Sequence, residues 1–175
     1  AIGTKGVDAF DGKFHLSVSK PLAPQLEEIG IKPEDIQYLG ISHFHADHTG
    51  NANLFSNATL LIQQEEFDAA FGPEPQKYGF APETYSKFDR KNAQVLQGDL
   101  DLFGDGRVVI KKAVGHTPGH QMLFLDMPKS GPIVLSGDLY HFTSNRQHRR
   151  VPSFNFNKQQ TLDAMEAMEQ FTAAK

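Results

Sequence analysis

An α/β fold is the class this sequence predicts, and three observations predict it. Short aliphatic or β-branched runs alternate with helix-like stretches, and Gly or Pro stands at most of the joints. At 175 residues the chain is long enough to bury a sizeable core, and residues 1–175 read as a single domain.

The elements follow in order. Pro21 to Gly30 reads as a short helix closed by its glycine, with Pro33 opening another turn. Ile36 to Ser42 is a buried strand, Ala58 to Gln63 a second, and Gln64 to Phe71 a helix that stops at Gly72-Pro73. From Gly72 to about Lys91 the pattern breaks: Pro73, Pro75, Gly79 and Pro82 mark a long irregular connection, either a lid or a passive surface loop. Ala93 to Gln97 and Arg107 to Val114 are strands, with Gly104-Asp105-Gly106 between them as a hairpin-type turn. Gln121 to Asp126 and Ile133 to Ser136 complete the strands, which puts His116 and Asp138 at strand-to-loop junctions. Asn157 caps a last helix in which Leu162, Met165, Met168 and Phe171 recur on one face, and these side chains are core.

Composition narrows the function. Lys+Arg 17 against Asp+Glu 21 leaves a net charge of −4, which supplies no general affinity for nucleic acid. Without cysteine there are no disulfides and no thiolate ligands, so any metal must be held by His and Asp. No apolar run approaches the ~20 residues that cross a bilayer, so no membrane role is expected. The chain opens with Ala1 rather than Met, and composition leaves bacterial cytoplasm and periplasm both open, as it does the oligomeric state.

His43-Phe44-His45-Ala46-Asp47-His48 concentrates three imidazoles and a carboxylate directly after a strand. These are the ligands that zinc and its neighbours accept. Side chains on extended backbone repeat every two residues, so His43 and His45 can reach one ion. Asp47 and His48 must point elsewhere, and a second, adjacent metal is their natural use.

The H-x-H-x-D-H spelling resembles the metal-binding signature of the metallo-β-lactamase superfamily. Gly115-His116-Thr117-Pro118-Gly119-His120 and Ser136-Gly137-Asp138 are similar to that family's two downstream motifs and stand in the same order, with Asp138 lying 22 positions after His116. The resemblance implies an αββα sandwich, here incomplete at both ends. It implies two zinc ions in the complete protein, with iron or manganese as alternatives: His43, His45 and His116 on the first metal, Asp47 and His48 on the second, and Asp138 bridging. His120 would support the loop through hydrogen bonds, while His15 and His148 read as solvated or partly buried residues.

Within the superfamily the chain most resembles the N-acyl homoserine lactonases, on S-H-F-H-A-D-H-T-G-N, H-T-P-G-H-Q and the stretch Val151-Pro152-x-Phe154. The resemblance covers most of residues 36 to 171. It implies a metal-dependent hydrolase that opens a lactone or related ester by attack of hydroxide generated at the metal, a small-molecule substrate, and a role in quorum quenching. Asp47 would steer a proton to the leaving oxygen. The lactonases place a tyrosine just after the bridging Asp, and in Asp138-Leu139-Tyr140-His141 that role falls to Tyr140 or His141. The loop from Gly72 to Lys91, with Phe154 or Phe156, would line the acyl site.

Other readings remain. The same metals suit β-lactam hydrolysis. The family's second metal normally takes a final His from beyond the last helix, and no histidine follows His148, so a metal-binding fragment without activity is a further alternative. The basic run Arg146-Gln147-His148-Arg149-Arg150 invites phosphate, or else a carboxylate contact.

Overall fold

The computed structural model describes residues 7–9, 12 and 14–174. A short antiparallel pair, β1 (Val7–Ala9) and β2 (Phe14–Leu16), precedes α1 (Leu22–Glu28). Two larger sheets follow. The first is parallel, in the order β3 (Tyr38–Gly40), β4 (Thr59–Gln63), β5 (Ala93–Leu96). The second is an antiparallel meander of β6 (Leu100–Asp101), β7 (Val108–Lys112), β8 (Gln121–Met127) and β9 (Gly131–Leu135).

Side-chain alternation along the central strands sets the layers. On β4, Leu60 and Ile62 face one core with Phe44, Phe80 and Tyr85, under α3 (Gln64–Ala70). Leu61 faces the other way, into a second core with Leu96 and Ile110, where Leu123 of β8 packs. Met122 of β8 points out to a third core, beneath α5 (Lys158–Ala173), with Met165 and Met168. Three apolar layers thus alternate with two sheets, which is the αββα order that the motifs implied. The sheets are also joined by a polar bridge: Gln121 Nε2 donates to the Ile41 and Leu61 carbonyls at 2.8 and 2.9 Å.

Several expectations are sharpened. The strand expected over residues 36–42 pairs only from Tyr38 to Gly40. Beyond it the chain leaves β4, and the Ser42 carbonyl accepts instead from Gln121 N–H of the opposite sheet. The Gly104–Gly106 turn belongs to β6 and β7, not to the strand beginning at Ala93. The Asp101 carboxylate holds it by accepting from Gly104 and Gly106 N–H. Residues 72–91 are not a passive surface loop. They form three short 3-10 turns, and Phe80, Tyr85 and Phe88 bury their rings in the first core. Asn157 does cap α5, accepting from Gln160 N–H at 3.0 Å.

The basic run ends α4 (Thr143–His148) and serves packing. Arg146 donates to both Glu169 oxygens, at 2.7 and 3.0 Å, and Arg149 reaches Glu166 and the Leu162 carbonyl. Two of its guanidinium groups therefore dock onto α5 and are not free to hold phosphate. Among the described residues, no helix is long and apolar enough to cross a membrane.

Candidate metal centre

After β3 the chain bends at Ser42 and runs to His45, whose own backbone is extended and which precedes α2 (Ala46–Thr49). His43 and His45 present the same side, while the helical turn carries Asp47 and His48 around the rim. His116 arrives from the loop between β7 and β8, and Asp138 from the turn after β9. His43 Nε2, His45 Nδ1 and His116 Nε2 form a triangle with sides of 2.9, 3.0 and 3.1 Å. With an Asp138 oxygen, these atoms all lie within 4.8 Å of one another.

What the other ring nitrogens touch fixes what this triangle is. His45 Nε2 lies 3.0 Å from the Tyr78 carbonyl, which can only accept, so the hydrogen is on Nε2 and Nδ1 carries a bare lone pair. His116 Nδ1 lies 3.1 Å from Asn155 Oδ1, and the Asn155 amide donates to Thr161 Oγ1, whose own hydroxyl donates to the Asn157 carbonyl. That chain leaves His116 Nε2 bare as well. Ser42 Oγ stands 3.2 Å from His43 Nδ1 and 3.1 Å from His48 Nδ1, so one hydroxyl anchors both rings and turns both Nε2 atoms inward.

Hydrogen bonds among the rings cannot satisfy such a triangle. A neutral imidazole nitrogen is a donor or an acceptor, never both, so at least one of three mutual contacts sets like against like. A cation resolves the conflict. A tetrahedral zinc with bonds of about 2.0–2.1 Å separates neighbouring ligand atoms by about 3.3 Å, close to the observed sides. The donor set fits a divalent metal, and each ligand ring is oriented by a partner on its far nitrogen, as metal-binding histidines are.

Asp138 divides its carboxylate. Oδ2 lies 3.3 Å from His116 Nε2 and 3.8 Å from His43 Nε2, whereas Oδ1 lies 3.3 Å from His48 Nε2. Asp47 Oδ2 is 3.6 Å from the same His48 nitrogen and faces solvent. One oxygen thus addresses the triangle and the other the Asp47–His48 side. Burial favours the neutral imidazole, holding His45 below the ordinary range and His116 down at about 4, and driving His43 lower still with the neighbouring rings. Burial would raise Asp138, but the His48 hydrogen bond and the surrounding imidazoles hold it at about 2. His48 is raised in turn: burial works against it, and the Asp138 carboxylate outweighs burial.

His120 is not a ligand in this geometry. Its Nδ1 meets the Ala113 carbonyl at 3.0 Å, and its Nε2 accepts from Asp138 N–H at 3.0 Å, so both nitrogens are spent on placing the loops. The pair left open by sequence separates. Tyr140 turns away, its hydroxyl 3.3 Å from Glu169 Oε1 on α5, while His141 Nε2 lies 3.2 Å from Asp138 Oδ2. The Tyr140 hydroxyl thus points toward α5, away from the Asp138 carboxylate. His15 pairs with Asp8 on the surface.

Beside His45 and His116 lies a groove of about 280 Å³ walled by Tyr78, Pro118, Phe154 and Phe156, with Lys77 at its edge. Phe154 and Phe156 remain 68% and 54% exposed, so much of their apolar surface is available to a ligand. Sequence reasoning missed Glu66, Asn155 and the Tyr78 carbonyl. In Gln63-Gln64-Glu65-Glu66 nothing local separates the exposed Glu65 from Glu66, which is 1% exposed. Gln121 had one signal, its place beside the G-H-T-P-G-H turn.

Known proteins are similar to this chain. The Metallo-beta-lactamase superfamily profile matches residues 11–175. The chain is 36% identical over 138 residues to the N-acyl homoserine lactonase AttM of Azorhizobium caulinodans, covering 74% of this chain and 51% of that protein. To the AttM lactonase of Rhizobium radiobacter it is 31% identical over 155 residues, covering 84% and 57%. A solved structure of N-acyl homoserine lactone hydrolase, with the product N-hexanoyl-L-homoserine bound at the catalytic metal center, superposes with a TM-score of 0.77 at 25% identity, covering 91% of this chain and 60% of that one. The chain spans about half the length of the curated relatives it matches.

Proposed function

Since the chain belongs to the metallo-β-lactamase superfamily, we propose that it serves a metal-dependent hydrolase that opens a lactone or related ester, with an acyl homoserine lactone-like substrate preferred. The observation that carries this reading is the convergence of three imidazole nitrogens and the Asp138 carboxylate on one point. His43, His45 and His116 would hold the first metal and Asp47 and His48 the second, with Asp138 between the two sets. Zinc suits these His and Asp donors and, when bound, supplies Lewis acidity that makes hydroxide available near neutral pH.

The chain's own residues do the rest. Tyr78 and Asn155 hold His45 and His116 in the tautomers that leave their lone pairs inward, and Ser42 orients the ring of His43. His141, with Nε2 3.2 Å from Asp138 Oδ2 and its ring 5.2 Å from that of His116, stands beside the triangle, where it can hold the Asp138 carboxylate and contact the opening lactone. Asp47, at the exposed rim, takes a proton from the attacking water and passes it to the oxygen that leaves as the ring opens. The aromatic groove receives the acyl chain and removes its methylenes from water.

The test is substrate preference in the zinc-loaded protein. Acyl homoserine lactones are expected to be hydrolysed faster than penicillins or bis-phenyl phosphates. Replacing Phe154 and Phe156 by Ala is expected to raise KM for long-chain lactones far more than for short. If the open groove recovers about half of the ~0.8 kcal/mol per methylene, six extra methylenes carry about 2.4 kcal/mol, on the order of 50-fold in KM. Equal effects on both chain lengths would take the acyl chain out of this groove, and a preference for penicillins would favour β-lactam hydrolysis.

A further inference from the structure

Glu66 is the one buried carboxylate that the metal reading leaves unused among the described residues, at 1% exposure. It sits in the first turn of α3, and its two oxygens accept from two loops. Oε1 accepts from Phe44 N–H at 2.9 Å, the peptide between His43 and His45. Oε2 accepts from Thr117 Oγ1 at 2.7 Å and from Gly119 N–H at 2.8 Å, in the loop that carries His116. These loops lie about 70 residues apart in sequence, and among the described residues this carboxylate is the side chain that accepts from both. The fit leaves no slack: a Cβ added to Gly119 would stand 2.3 Å from Glu66 N.

We propose that Glu66 is a positioning residue for the metal centre, setting the spacing between the His43–His45 segment and His116 and thereby the affinity and geometry of the first metal. This rests on the metal reading above. A carboxylate is required because all three partners are donors. In Glu66→Gln one oxygen becomes an NH₂ group, and whichever side it takes, it faces a backbone N–H, of Phe44 or of Gly119. Both loops can persist, but one is pushed off its tether and its histidine moves with it.

The experiment uses the chain stripped of metal and reloaded at pH 8 with zinc, measured by chelator competition, or with cobalt, read by its visible spectrum. E66Q is expected to remain folded by circular dichroism, to bind zinc 10–100-fold more weakly, and to shift the cobalt bands. Tyr85→Phe is the control. It removes a buried hydrogen bond to the Ala70 carbonyl at the other end of α3, and it is expected to cost stability while leaving zinc affinity and the cobalt spectrum unchanged. Wild-type affinity and spectrum in E66Q would overturn the inference alone, as would an equal loss in Y85F. A wild-type chain that takes up less than one equivalent of zinc would overturn the metal reading, and this inference with it. Should E66Q fail to fold, Thr117→Val, which removes one of the three donors, is expected to weaken zinc several-fold, and unchanged affinity there would overturn the proposal equally.

Discussion

Replacing Gln121 by leucine tests whether a single buried amide locks the two sheets that deliver the metal ligands. Gln121 is 3% exposed, and its Nε2 donates to the Ile41 and Leu61 carbonyls while its Oε1 accepts from Gln63 Nε2. Leucine keeps most of the volume and removes every one of these bonds. Gln63 retains the Gly98 carbonyl at 2.9 Å, so the loss falls on two carbonyls. Each buried carbonyl left without its donor costs about 1–3 kcal/mol. Gln121 also borders an apolar groove between the sheets, through which water can reach them, so the low end of that range applies, about 1–1.5 kcal/mol each, and the total is about 2–3 kcal/mol. For a chain of this size, that lowers Tm by about 4–12 °C. The assay is thermal unfolding followed by circular dichroism in excess chelator, so that metal binding does not mask the change. Zinc affinity should fall with it, because Ile41 leads directly into His43. A Tm within 1 °C of wild type would refute the reasoning, by showing that both carbonyls find other donors without cost.

Three further outcomes are expected. His45→Ala removes one of three converging lone pairs, and tight zinc binding and hydrolysis should both be lost; wild-type metal content after gel filtration would contradict the ligand assignment. His141→Ala should lower kcat at least about ten-fold while Tyr140→Phe leaves it within about three-fold, since only the first side chain faces Asp138; the reverse order of effects would return the role to tyrosine. Burial pushes Glu66 up to about 7 from an ordinary 4.5, so its contribution to stability is present below pH 4.5 and is lost as pH rises through 7. Relative to E66Q, metal-free wild type should therefore lose up to about 3 kcal/mol between pH 4 and pH 8. A difference that stays flat across that range in urea titrations would show that Glu66 titrates normally.

The sequence by itself determined the features that are local. Alternation of apolar residues marked β4 and the helices α3 and α5 nearly to the residue, because side-chain direction along a strand or helix follows from the backbone repeat. The candidate ligands were legible from their types and spacing: His43 and His45 lie two apart, and imidazole and carboxylate are the side chains that metal chemistry uses. Strand ends were less legible, since pairing partners decide where a strand stops. Residues 41 and 42 look like strand, yet Ser42 answers to Gln121 from the other sheet.

Only the tertiary structure could decide which polar residues serve the site and which serve packing. Tyr140 and His141 are adjacent in sequence, and the choice between them was made by Glu169, a residue of the last helix that draws the phenol outward. Glu65 and Glu66 are likewise adjacent. One pairs with Lys112 at the surface, and the other is enclosed by the loops of His43 and His116. The tautomers of His45 and His116 depend on a carbonyl at Tyr78 and an amide at Asn155, and the orientation of the His43 ring on a hydroxyl at Ser42. Residue type states what a side chain can donate or accept, but its partner is set by which distant segment the fold brings within 3 Å, and that information resides in no local stretch of the chain.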